Sequence, residues 1–542
     1  MGEGWGNGER AMEHATTHCS SGELNFQSPP KKAVGGWKAV KYILGNETFE
    51  KLASMSLVAN LVLYLHTKYN LDNVVSADVF NIWSGSCNVA PLLGAYLADT
   101  HMGKFYTLLY SSIASLLGMG VLTLTASLHE LTPPACNGQA QCEQTQCMAE
   151  ACPLCGSGIA PLTGVVYIQT NISWVVGFAI PAGCFAISIV IFLLGQKLYI
   201  RVKPQGSTFG DLLKVIVAAF RKCSTKTSGQ SLYDAPSIGP ESEQTTLAHR
   251  ERFKFLDKAA AIVDLNELDN NGKPKNGWRL CSVQQVEQLK SVIALLPVWL
   301  SGIGCFIGMQ QMSSFGIFQA IQTNKKIGNK FEIPPAWMGL TPMIALSIWI
   351  IIYESIYIPR MQKRNNDESG RLTMETRFKI GIVMSILCMV VAGLTEMKRR
   401  NSALENRSFE SPITVALLVP QFALSGLIEA FAAIALLELL TTQWPKNMRT
   451  FAGAVFFLSL SIASYCTSIL VNIVKKLTGL NGNTSWMGGN DLNKNRLDYY
   501  YYCIAGLGVI NLLYFQLIAR HFLNAVDHDH SRITSNGDEE RQ

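Results

Sequence analysis

Seven stretches of the chain contain no Asp, Glu, Lys or Arg: residues 79–98, 105–128, 151–196, 291–324, 333–353, 450–474 and 499–519. A helix needs about 20 apolar residues to cross the hydrocarbon core of a bilayer, and runs of that size leave no polar face to turn toward water. Lipid is the solvent that suits them. A membrane barrel is excluded, because its strands alternate apolar and polar residues over about ten positions. A segment in hydrocarbon must also satisfy its own backbone, which a helix does. Two more spans are expected at 380–395 and 412–437, the second interrupted by one acid, Glu429. With a first span at 43–66, the fold class is an all-α membrane protein of about 10 transmembrane helices.

A net charge of +6 would suggest nucleic acid as the partner of a soluble protein. Here the basic residues gather in particular loops, so topology accounts for them and no nucleic-acid partner is expected. With the N-terminus inside and alternating spans, 32 Lys and Arg fall on the inner side, 12 on the outer side, and Lys51 at a span edge. That satisfies the positive-inside rule, although Lys398, Arg399 and Arg400 form an outer basic cluster. The first 40 residues are polar and glycine-rich, so the first span rather than a cleaved signal directs insertion. The expected layout is a cytoplasmic tail (1–42), an N-terminal helical bundle (43–200), a cytoplasmic linker (201–290), a C-terminal six-helix bundle (291–522) and a second cytoplasmic tail (523–542). Within the linker, helical spacing at Phe209–Phe220 and from Arg252 to Ala261 predicts surface helices.

The first span is apolar only from Leu52 to Leu65 and reaches spanning length only if Glu47, Glu50 and Lys51 lie in or at the edge of the membrane. Residues spaced i, i+3 and i+4 share one helix face, so the three side chains can meet in a wet cavity away from lipid. A carboxylate there is neutralised by taking up a proton, and a nearby Lys keeps it ionised until the proton arrives. Spacing alone equally allows a helix start whose acids favour the dipole and whose Lys sits among headgroups. Glu429 in Gly426-Leu-Ile-Glu-Ala-Phe431 is an isolated intramembrane acid and a candidate cavity group, with a structural carboxylate as the alternative.

Gly45-Asn-Glu-Thr-Phe-Glu-Lys-Leu52 resembles the ExxE[R/K] motif of the proton-dependent oligopeptide transporter family, most closely its plant nitrate and peptide transporter members. Gly94-Ala-Tyr-Leu-Ala-Asp99 with Gly103-Lys104 resembles the major facilitator loop between helices two and three. Further likeness lies in Phe253-Lys-Phe-Leu-Asp-Lys-Ala-Ala260, Phe331-Glu-Ile-Pro-Pro-Ala336 and Asp491-Leu-Asn-Lys-Asn-Arg-Leu-Asp-Tyr499, and it extends from Gly36 to Phe522. The resemblance implies a major facilitator two-bundle fold whose halves rock around a central site. It implies that Glu47, Glu50 and Lys51 couple transport to protons, that Asp99, Gly103 and Lys104 form a cytoplasmic latch, and that Glu429 lines the cavity from the family's tenth helix. The seventh family helix would be 291–314, where Gln310, Gln311 and Phe315, with Phe318 nearby, offer amides and rings to a solute, with mere helix packing as the alternative for some of them. Nitrate-handling relatives carry a His in that helix, whereas this chain has Met309, whose thioether holds no proton or charge. The expected activity is symport of protons with a small organic solute such as a glycoside, or with nitrate, across the plasma membrane or the vacuolar membrane.

The chain departs from that family between residues 129 and 170. Leu131-Thr-Pro-Pro-Ala-Cys136 passes to Leu162-Thr-Gly-Val-Val-Tyr167 within about 25 residues, too few for the fourth and most of the fifth of the family's twelve helices. The basic side chain that the fourth helix would bring to the first-helix acids has no counterpart. Removing two helices preserves parity, so the linker still reads as cytoplasmic, and Leu154–Gln169 is left as a stub. A splice variant or faulty gene model, and hence a non-transporting product, is the alternative reading. Cys136, Cys142, Cys147, Cys152 and Cys155 crowd the same region; a lone Cys-x-x-Cys lacks the second pair of a zinc site, and a disulfide on the outer side suits them better. Asn406-Arg-Ser and Asn483-Thr-Ser are candidate glycosylation sites. No Walker loop or nucleophile elbow is present, so no enzyme activity, catalytic residue, cofactor or metal is expected.

Overall fold

The computed structural model describes residues 36–128, 165–170, 172–199, 208–223, 231–234, 253–264, 267–269, 274–327, 331–365, 370–444, 448–479 and 485–523. In chain order α1 (Trp37–Lys68), α2 (Asn73–Leu97), α3 (Gly103–Ser127) and α4 (Trp174–Leu194) form the first bundle. Then come α5 (Thr208–Arg221) and a 3-10 helix, Lys254–Ala259. The second bundle contains α6 (Val283–Ser313), α7 (Phe315–Ile321), α8 (Leu340–Ile352), α9 (Ile358–Asn365), α10 (Met374–Glu405), α11 (Val419–Ile428), α12 (Ile434–Gln443), α13 (Arg449–Thr478) and α14 (Leu497–Tyr514). Eight segments among the described residues are long and apolar enough to cross a membrane, and one of them, Asn73–Ser127, holds both α2 and α3. With α1, whose inner third is charged, this makes four crossings before the linker and six after it.

Local sequence explains where the elements begin and bend. Ser282 accepts from the Gln285 N–H at 3.3 Å while the Gln285 side chain accepts from the Ser282 N–H at 3.1 Å, a capping box that starts α6. Gly103 has φ +74°, a backbone conformation that excludes most side chains, so a glycine is needed between the π turn Ala98–Met102 and α3. Gly45 lets α1 approach Ile191 of α4, where a Cβ would lie 3.3 Å from the Ile191 side chain. Asn46 accepts from Ser188 of α4 at 2.8 Å. In the second bundle Gly426 of α11 lies against the backbone of Pro342 on α8, and an added Cβ would collide with the Pro342 carbonyl. Gly426→Ala is expected to cost about 1–3 kcal/mol through overpacking, read as a lower unfolding temperature of the solubilised chain.

The linker belongs structurally to the second bundle. Lys290 of α6 is almost fully buried and pairs with Asp257 of the 3-10 helix at 2.7 Å and with Glu287 at 2.8 Å. Lys222 at the end of α5 pairs with Glu267 at 3.0 Å. The predicted helix near Phe209–Phe220 is α5, but the Arg252–Ala261 segment is helical only as the short 3-10 turn, entered through Phe253 at φ +60°. The outer basic cluster is also corrected. Lys398, Arg399 and Arg400 are not in a loop but inside α10, which runs to Glu405 because Arg399 is fully buried against Glu396.

The halves meet toward the helix ends that lie away from the linker. Asp78 of α2 accepts from Ser468 and Asn472 of α13, Asp72 lies 3.7 Å from Lys475, and Asn73 donates to the Gly489 carbonyl at 2.9 Å. His66 of α1 sits edge-on to Phe318 of α7 with ring centroids 5.4 Å apart. The helical residues 165–170 fill the place where the sequence leaves a stub. Val166 packs with Ala336 and Leu340 of the second bundle, and Gln169 accepts from Asn60 of α1 at 2.5 Å. The rest of the stub and the five crowded cysteines lie outside the described residues.

Candidate functional site

The first-helix motif sits in the N-terminal half of α1. Lys51 Nζ lies 3.8 Å from Glu47 Oε2, one helical turn apart, with the Glu47 side chain 51% exposed and that of Lys51 32% exposed. Glu50 is half-buried, with Ser112 of α3 and Asn46 of its own helix beside its carboxylate. The two acids therefore differ: Glu47 is on the open side with the Lys, and Glu50 is turned in against the neighbouring helix. Val40, Ile43 and Leu44 continue the open side of α1 toward its inner end, all exposed. A helix packed there would cover both this apolar stripe and Glu47.

The second bundle offers a polar interior. Gln310 donates to Ser464 at 2.8 Å, Gln311 donates to Thr467 at 3.4 Å, and Tyr500 donates to Gln311 at 3.1 Å. Both amides are buried and engaged between α6, α13 and α14. Phe315 is fully buried against Phe318 and Tyr500, with centroids 6.0 and 5.7 Å apart. Met309 is half-buried at the edge of the hydrophobic core. Glu429 opens the π turn Glu429–Ala433 that divides α11 from α12, and among the described residues it has no hydrogen bond or ion pair. A π turn widens the helix and often marks a functional position. At the inner end of the first bundle Asp99 is half-buried and Lys104 exposed, with no ion pair between them.

Several groups escaped the sequence reading. Asn81 of α2 is fully buried, and both its amide atoms lack a protein partner among the described residues, leaving a donor and an acceptor for water or solute. It lies within a charge-free run, so a scan for charges passes over it. Asp78 ends the preceding charged stretch and looks like a loop residue until α13 is placed beside it. Glu396 and Arg399 show the i, i+3 spacing of an ion pair, a signal present in the sequence that their nominal loop position concealed.

Two bundles of apolar, membrane-length helices joined by a linker define a multi-pass membrane protein with the architecture of a two-bundle transporter. A family model described as PTR2, POT family, matches residues 151–487. The chain is 46% identical to NRT1/PTR FAMILY 2.8 of Arabidopsis thaliana, over 91% of this chain and 96% of that one. It is 37% identical to NRT1/PTR FAMILY 2.13 of the same plant, over 93% and 89%. The fold is similar to that of the POT family transporter PepTSo, with a TM-score of 0.61 at 18% identity over 90% of this chain and 99% of that one. A POT family transporter in complex with 5-aminolevulinic acid gives 0.56 at 11% identity, over 90% and 98%. The chain belongs to the POT family and is a proton-coupled membrane transporter by descent, not an enzyme. The alignment with the first relative spans 542 positions yet takes in 91% of this chain, so about a tenth of those positions have no residue here. That shortfall is about the length of two membrane helices.

Proposed function

We propose that the chain is a proton symporter for a small organic solute, a glycoside before nitrate, acting at the plasma membrane. The observation that carries this reading is the division of labour on α1. Lys51 lies beside Glu47 and its charge also acts on Glu50, which is turned inward as the acid that can lose and regain a proton as the cavity changes sides. Glu429, whose side chain has no partner among the described residues and which opens a π turn, faces it in role from the other bundle, and Asn81 with Gln310 and Gln311 supplies amides for a hydroxylated solute. Met309 supports an organic solute, because nitrate would need a cationic or proton-bearing partner there. The Asp99, Gly103 and Lys104 turn serves as the cytoplasmic latch.

A second reading rests on the open stripe of Val40, Ile43, Leu44 and Glu47: with no helix packed on it among the described residues, the chain reads as a non-transporting isoform or a mis-assembled gene product. Uptake of a labelled glycoside and of nitrate into cells separates the two. The chain as it stands is compared, in acidic and neutral medium, with a version carrying two spanning helices inserted between residues 142 and 162. Acid-stimulated glycoside uptake by the unmodified chain is the expected result. Uptake only after insertion would select the second reading, and nitrate uptake at equal rate would remove the argument from Met309.

A further inference from the structure

We propose that α5 is a lipid-surface helix: its open apolar arc of Leu213, Ile216 and Phe220 enters an anionic leaflet, while Lys214, Arg221 and, just past α4, Lys197 face the lipid phosphates. The proposal rests on the cytoplasmic placement of the linker, the side on which acidic lipids gather, and on neither the solute nor the proton.

The charge of the chain is concentrated here. Of its 45 basic and 39 acidic residues, positions 197–226 hold seven and one, so these 30 residues alone carry +6 and the rest of the chain is balanced. The positive-inside bias explains why basic residues lie on this side of the membrane, but not why the whole excess gathers beside one span. A cluster of about four to eight Lys and Arg next to a span or on an amphipathic helix is a binding surface for acidic headgroups. Lys197 is exposed three residues past the end of α4. Lys214 lies beside Gly277 and 2.9 Å from Asp211, the one acid of the stretch, and Arg221 donates to the Trp278 carbonyl at 3.5 Å.

The helix also has more apolar surface than its neighbours cover. Leu212, Val215, Ala218 and Ala219 are buried where α5 rests on the 3-10 helix Lys254–Ala259 and on α6. One such stripe is enough to pack a surface helix. Leu213, Ile216 and Phe220, spaced i, i+3 and i+7, make a second arc that stays open among the described residues, with Phe220 83% exposed. Lys214 and Arg221, also seven apart, share the flank between the two arcs. The height of the helix suits a headgroup layer. Lys290, the last charge before the apolar run 291–324, is tied to Asp257 of the 3-10 helix at 2.7 Å. From the start of α6 at Val283 to that run is two turns, about 12 Å. At that level an apolar arc sinks about 5–10 Å into the boundary of headgroups and acyl chains, and the basic flank meets phosphate.

The test is the surroundings of a bio-orthogonal nitroxide label at Ile216 in the full chain, reconstituted in vesicles of phosphatidylcholine alone or with about 30% phosphatidylserine. Relaxation by oxygen, which concentrates in lipid, and by a water-soluble nickel chelate shows which solvent the label meets. A label at Leu300, exposed in the α6 span, marks full lipid contact and a folded, inserted chain. In the acidic vesicles the Ile216 label is expected to meet oxygen rather than nickel. Lys214→Gln with Arg221→Gln is expected to lower the ratio of lipid-facing to water-facing label about thirtyfold there, about fivefold for each charge. Lys214→Arg with Arg221→Lys keeps both charges and is expected to keep the native ratio, which a packing role for these side chains would not. Phe220→Ser is expected to lower the ratio about tenfold in either vesicle. A nickel-accessible label in acidic vesicles, a ratio that ignores both phosphatidylserine and the double Gln variant, or a label shielded from both reagents because protein covers the arc would each overturn the proposal. No uptake is measured, so failure here leaves the symport reading where it stands.

Discussion

Replacing Arg399 by Met is expected to destabilise the second bundle by about 3–5 kcal/mol, because it leaves a buried carboxylate without its counter-charge. Arg399 and Glu396 are both fully buried, and the pair is bidentate: Nη2 to Oε1 at 2.7 Å and Nε to Oε2 at 2.8 Å. Gln319 of α7 donates to the same carboxylate at 2.9 Å, and its own oxygen accepts from Gln421 of α11 at 2.8 Å and from Tyr501 of α14 at 3.1 Å. The guanidinium donates onward to Asn493 at 2.9 Å, which donates in turn to the carbonyls of Ser408 and Phe409. One charged pair thus joins α7, α10, α11, α14 and two outer loops. A network of this kind is stable only while every member is satisfied. The loss should appear in thermal unfolding of the solubilised chain. Glu396→Gln combined with Arg399→Met should recover much of it by removing the orphaned charge as well. If the single variant is no less stable than the double, the pair is not the keystone of the outer ends. The network thus ties these helix ends of the second bundle into one block.

Much of this was legible before any coordinates. The charge-free run 105–128 matches α3, the end of the run 151–196 holds α4, and the run 79–98 holds all of α2 but its first turns, since hydrocarbon leaves a continuous apolar helix as the economical solution. The run 380–395 is instead the middle of α10, which extends from Met374 to Glu405. The sequence window stops at the first charge, whereas the helix continues wherever charges find partners: Arg377 with Glu438 at 2.5 Å at one end, Arg399 with Glu396 at the other. The α1 motif was readable because three charged residues at one-turn spacing have no inexpensive place in lipid. What spacing could not tell was that Glu47 and Glu50 lead different lives, since that depends on Ser112, more than sixty residues away. For the same reason Gln310 and Gln311 read as solute groups, while their partners Ser464, Thr467 and Tyr500 on distant helices also make them packing groups.

Glu50→Gln is expected to abolish proton-driven accumulation while leaving the chain folded and able to equilibrate its solute. Gln keeps the shape of the side chain and its place beside Ser112 and Asn46, but it binds no proton. One pH unit across the membrane is worth about 1.4 kcal/mol per proton, and 100 mV about 2.3 kcal/mol per charge. Under those conditions a one-proton symporter can hold a gradient of about 3.7 kcal/mol, an accumulation of several hundredfold, and the variant should fall to no accumulation at all. Glu47→Gln should do less: its partner Lys51 and its half-exposed position make it a group that sets the field around Glu50 rather than the carrier of the proton. Uptake into vesicles with an imposed pH gradient measures both variants, and exchange of solute at zero gradient shows that Glu50→Gln still binds and moves it. If Glu50→Gln accumulates solute as the native chain does, the proton travels elsewhere and the inward turn of Glu50 is only packing. If Glu47→Gln is the more damaging of the two, the roles on α1 are reversed, and the acid beside Lys51 is the one that is discharged by the proton.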